Sequence, residues 1–239
     1  MKARPVKKLD PSRSLGENAG RIIKVRLDEL HSFAPRALAG KTKAQHDMRI
    51  AAKRLRYVLE VTGFAFGRSA DTARRRSRDL QDILGEIHDC DVMLPRVLGH
   101  LEELQRADAE AVRAKAGGAP DLDPRLAAQA RHRTTYRGLD VLAVYLEARR
   151  RLLEDRFVAF WRRQEETGTW GRLERAVDGY LHRAREARRT AKAAERARLQ
   201  AEAAERAARQ AEAQAERARL DRERAMAQPQ HRAEEHIPD

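Results

Sequence analysis

His46, Arg49, Lys53 and Arg56 follow one another at steps of three, four and three residues. That spacing lines side chains up along one edge of a helix. No acid interrupts the line. Cationic groups set one helical turn apart, roughly 5–6 Å, repel one another and do little to stabilise an isolated helix. They do suit a polyanion: arginine offers a planar fork to phosphate oxygens, and lysine a mobile point charge. Met48, Ala52, Leu55, Leu59 and Thr62 form a neighbouring line with the ordinary rhythm of a buried face. One helix therefore reads as core on one side and as an anion grip on the next.

Other chemistries fit these residues less well. His46-Asp47 and His88-Asp89 are His-Asp pairs of the kind metal-dependent phosphohydrolases use, with Asp91 nearby. The arginines and lysine around His46 would oppose a divalent cation there. Cys90 lies among acids, which blunts a thiol as a nucleophile. The chain has no Gly-rich phosphate loop and no Cys-x-x-Cys pair. Catalytic residues, cofactors and a metal site are not expected. A competing use of the stripe is internal: Asp82, Glu86 and Asp89 could pair with Arg49, Lys53 and Arg56, or Asp89 could orient Arg56 or His46.

The charge distribution favours a formed cationic surface over a basic tail. The 239 residues carry a formal net charge of +13, of which residues 41–78 supply +8 and residues 1–40 supply +5. Residues 79–124 sum to −7, residues 125–181 to +4 and the remainder to +3. The single cysteine forbids an intrachain disulfide, and no apolar run approaches the ~20 residues a membrane helix needs. A cytoplasmic protein that does not enter membranes is the expectation. Aromatic residues are few, which leaves little for base stacking.

These side chains must be held by helices, since no alternating strand pattern occurs. Residues 1–13 read as a basic, poorly ordered lead. A first helix is predicted over Ser14–Phe33, with Ile23, Leu27, Leu30 and Ala34 buried and Pro35 closing it; Arg21 and Lys24 sit on an adjacent line. The stripe lies on a second helix, Thr42–Phe64. A third begins near Ser69 with Arg74, Arg75, Arg76 and Arg78 in its first turns. It continues past Leu101 on Leu80, Leu84, Ile87, Leu94 and Leu98, with a kink or restart at Pro95. The loop Gly117–Pro124 leads into a fourth helix over Arg125–Glu165, with a break at Gly138 allowed. Its core residues would be Leu142, Leu146, Leu153, Phe160 and Trp161, with Arg149 and Arg156 on the same inward side. A short helix covers Trp170–Leu181.

The expected architecture is an all-α antiparallel bundle over 14–181 with a long charged helical extension over 182–227. Ala-Glu-Arg-Ala-Arg-Leu recurs there three heptads apart, at 194–199 and 215–220. Leucines are too sparse for a strong coiled coil, though the extension could pair with its own copy or another helix. Residues 228–239 are expected to be disordered.

The block His46-Asp47-Met48-Arg49-Ile50-Ala51-Ala52-Lys53-Arg54-Leu55-Arg56-Tyr57 is followed by Leu80-Gln81-Asp82-Ile83-Leu84-Gly85-Glu86-Ile87-His88-Asp89. Together they resemble the CHAD family, named for a conserved histidine α-helical domain. The resemblance implies a helical bundle, often of two related halves, that binds inorganic polyphosphate on a basic surface without catalysis. Some members associate with polyphosphate granules. It assigns ligand contacts to His46, Arg49, Lys53 and Arg56, ranks Arg54 lower, and makes Asp89 structural. Arg75, Arg78, Arg21, Lys24, Arg149 and Arg156 are further candidates from their charge and placement. Only one copy of the His-Arg-Lys-Arg block is present, so the site would be shallower or completed by a second subunit. A nucleic-acid-associated protein using the same cations is the alternative, with duplex DNA or RNA as competitor.

Overall fold

The computed structural model describes residues 2–227. Over these residues the chain forms helices and connections, with no strand. The described residues divide into two compact units, 2–182 and 183–227. The expected tail at 228–239 lies outside the described residues.

Helix α1 (Leu15–Leu38) opens on a capping box: Ser14 Oγ accepts from the Glu17 amide, and the Glu17 carboxylate accepts from the Ser14 amide. Ile23, Leu27, Leu30, Ala34 and Ala37 are buried. Pro35 does not close the helix. It removes one amide donor in the last turn, which continues to Leu38 because Ala34 and Ala37 still pack in the core. The turn into α2 (Thr42–Thr62) needs Gly40, whose φ is +72°. So short a link makes the two helices antiparallel neighbours. A 3-10 turn over Gly63–Phe66 ends α2 earlier than Phe64.

Helix α3 (Gly67–Lys115) runs through Pro95 without restarting. Cys90 before the proline and Val97 after it are both buried, so packing on either side outweighs the lost backbone bond. Leu98, expected in this core, faces outward. The stretch predicted as one fourth helix is two: α4 (Pro124–Ala128), capped by Asp123, and α5 (Arg133–Glu166). Gly138 does not interrupt α5. Its N-terminus is clasped to α3: the His132 amide and Nδ1 meet the Asp108 carboxylate at 3.0 and 2.9 Å, and the Tyr136 hydroxyl donates to the same carboxylate. Leu146, Leu153, Phe157 and Trp161 form its buried face. Leu142 is 39% exposed and Phe160 only half-buried, because the seam against α3 is narrower than the run of leucines suggests.

The short helix and the extension are a single element, α6 (Thr169–Ala227). Within the first unit, its Trp170, Leu173, Val177 and Leu181 are buried. The contact with α1 is close. A Cβ on Gly20 would stand 3.2 Å from Val177 and Leu181, and one on Gly16 would overlap the Tyr180 ring. In the second unit, residues 183–227 are helical and residues 183–226 almost wholly exposed. The lead, expected to be loose, has no helix but is tied to α1. Asp10 and Asn18 exchange backbone–side-chain bonds, the Lys8 carbonyl accepts from Arg21, and the Arg4 carbonyl accepts from Arg26.

Candidate functional site

Packing of α2 begins with its apolar line: Met48, Ala52, Leu55 and Leu59 are buried in the core shared with α1 and α3. That fixes which way the cationic line can face. The line lies half-buried along the seam with α3, not out in solvent.

Arg49 lies flat on α3 over Gly85, where any Cβ would stand 3.3 Å from its Nε. Gly85 is thus what lets the guanidinium approach the α3 backbone. Arg49 Nε is closed off from water and has no hydrogen-bond partner among the described residues. His46 heads the line with its ring centroid 5.0 Å from that of His88 on α3. Its Nδ1 is likewise shielded and unpartnered. Burial first, and then the neighbouring His88, hold the His46 imidazole below its ordinary value, so it is mainly neutral at pH 7. Lys53 makes no ion pair among the described residues; its Nζ stands 5.6 Å from the Tyr57 ring centroid. Arg56 shares that ring at 4.9 Å and approaches Glu60 at 3.4 Å.

The acidic block does not neutralise this line. Asp82 faces Arg78 at 3.9 Å, and Glu86 takes Arg149 at 2.6 Å. Asp89 is exposed and pairs with neither Arg56 nor His46. The internal pairing considered from the sequence is therefore not how these side chains are arranged. Asp47 turns to Lys43 at 2.8 Å. Among the described residues, no three His, Cys, Asp or Glu side chains gather as a metal-binding group.

The other candidates scatter. Arg54 points to α1, where the fully buried Glu29 accepts from it at 2.9 Å and from Arg26 at 2.6 Å. Its geometry is that of a structural anchor. Arg21 bonds the lead and Lys24 pairs with Asp178 on α6 at 2.8 Å, both away from the stripe. Arg75 is exposed and pairs with Asp71 at 2.6 Å. Such surface pairs are worth little, so Arg75 and Arg78 remain open to an outside anion. Arg149 sits at the seam of α3 and α5, next to the turn that carries Gly85. Its guanidinium is held above the ordinary arginine value by a hydrogen bond to Cys90 Sγ, with Glu86 beside it. Arg156 is exposed, not inward, since α5 turns the Leu153–Phe157 face to the core instead.

Two contributors escaped the sequence reading. His88 reads in the sequence as half of a His-Asp pair, and the 42-residue offset between the two identical dipeptides is the signal that links it to His46. Tyr57 closes the motif without any charge to mark it.

Fold and stripe together define an all-helical protein that presents a line of cations along a helix seam. The CHAD domain model matches the chain over residues 2–98 and 23–237, and the chain belongs to the CHAD family. No curated protein and no solved structure matches it.

Proposed function

We propose that this chain binds inorganic polyphosphate, the ligand class of its family, along the α2 line facing α3, and that it does so without catalysis. The carrying observation is the half-buried line of His46, Arg49, Lys53 and Arg56 on α2, which the acids of α3 leave unpaired because Asp82 and Glu86 take Arg78 and Arg149 instead. Lys53, free of acids, and Arg56 on the Tyr57 ring continue the line at one-turn intervals. His46 adds a fourth contact once protonated. Arg75, Arg78 and Arg149 flank the line and extend its field. Retention at polyphosphate granules follows as a cellular consequence.

Titration with polyphosphate of defined length, repeated across salt concentrations, tests this. Affinity should fall steeply with salt, and the triple substitution Arg49→Ala/Lys53→Ala/Arg56→Ala should reduce the log–log salt slope by about three. Binding unchanged in the triple variant would end the proposal. Duplex DNA or RNA that displaces polyphosphate at equal phosphate concentration would favour a nucleic-acid role for the same cations.

A further inference from the structure

Helix α5 is apolar on two opposite sides. Its inner side, Leu146, Leu153, Phe157 and Trp161, is buried. On its outer side Val141, Val144, Tyr145 and Leu152 are 64%, 68%, 58% and 60% exposed. At 100° per residue these four and the exposed Ala148 fall within one sector, centred about half a turn from the buried line. A surface helix normally keeps that sector polar, and one that is apolar all round is a buried helix.

The charges bounding the strip say what covers it. Arg137 and Asp155 are eighteen residues apart, five helical turns, and so lie on one line at opposite ends of the apolar sector. Both are exposed, and neither has an ion-pair or hydrogen-bond partner among the described residues. A strip with a cation at one end, an anion at the other and apolar residues between complements itself when reversed.

We propose that this face is a homodimer interface in which α5 pairs antiparallel with α5 of a second copy, the two-fold axis level with residue 146. In that register Arg137 stands at the height of the partner's Asp155, and Asp155 at that of the partner's Arg137. Leu152 meets the partner's Val141, Tyr145 meets its own copy beside the axis, and Val144 packs on the partner's Ala148. The small side chain at 148 lets the helices approach to the ~8–10 Å of packed pairs. The interface is isologous, and each contact occurs twice. It uses neither the α2 stripe nor residues 183–227, and does not depend on polyphosphate binding.

Sedimentation equilibrium of the full chain over a range of concentrations tests it, with circular dichroism as the folding control. The expected result is a reversible dimer. Leu152→Asp should abolish it with helical content retained, since the side chain is exposed. Asp155→Arg sets two arginine pairs against each other across the axis and should raise the dimer dissociation constant about tenfold. Adding Arg137→Asp to Asp155→Arg should restore the original value. A chain that is monomeric at every concentration overturns the proposal. So does a dimer that neither substitution weakens, which would place association elsewhere, including residues 183–227. A dimer weakened by Asp155→Arg that the double variant does not rescue overturns the antiparallel register.

Discussion

Gly85 separates binding from stability at the level of a single residue. Glycine within a helix costs about 0.5–1 kcal/mol relative to alanine. Gly85→Ala should therefore raise the melting temperature of the free protein slightly. The added methyl would stand 3.3 Å from the Arg49 Nε and push that guanidinium aside by a few tenths of an ångström. Polyphosphate affinity should fall several-fold, read by titration beside the melting curve; a stabilised variant with unaltered affinity would remove Arg49 from the site. His46 gives a second test, through pH. Burial, His88 and Arg49 depress its imidazole, and Asp47 only partly opposes them. In the free protein, the folded state then holds fewer protons than the unfolded one below about pH 6.5, so acidification lowers stability through His46. A bound anion favours the imidazolium, so polyphosphate affinity should rise as pH falls from about 7 to 5.5. The His46→Gln variant should lose that part of the pH dependence.

At the scale of elements, two clasps decide how the helices are held. Glu29, buried, joins α1 to α2 through Arg54. Arg54→Ala should cost about 1–2 kcal/mol in chemical denaturation, since Arg26 still satisfies the carboxylate in part. Its effect on the salt slope of binding should be small. The second clasp ties α5 to α3 at Asp108. Burial and the bond to Asp108 push the Tyr136 hydroxyl up to about 12. One of the four tyrosines should thus ionise late in a tyrosinate absorbance titration, and Tyr136→Phe should abolish the late step. Because the folded value is raised, this contribution is whole below about pH 10 and is lost as pH climbs through 12.

The helices themselves were legible in sequence because their apolar spacing is strong; every core position expected on α2 is buried. Their ends were less so. Pro35 and Pro95 read as breaks, yet both lie inside helices whose flanking residues are packed, a tertiary effect that local pattern does not carry. The stripe was visible as spacing alone. What was hidden is which partners cross the seam: Arg54 shares the motif with Arg49, but the α1 carboxylate that captures it sits 25 residues away. The exposed face of α5 was hidden too, since Leu142 and Leu146 look alike until α3 chooses between them.

For the whole molecule, the electrostatic pattern and the apolar one separate onto different helices. The cation line, with Lys53 making no ion pair among the described residues, lies on α2, while the uncovered apolar strip lies on α5. No helix among the described residues is long and apolar enough to cross a membrane. The start of the chain has a part in this arrangement. The Arg4 amide donates to Glu29 at 3.3 Å, and the Arg4 carbonyl accepts from Arg26 at 2.9 Å. The lead thus completes the coordination of the same carboxylate that anchors Arg54. Residues 2–13 lie along α1 and reach α2 only through Glu29, the carboxylate that Arg54 also holds. Proteolytic trimming before Ser14 should leave the helices formed yet speed amide hydrogen exchange along α2, far in sequence from the cut.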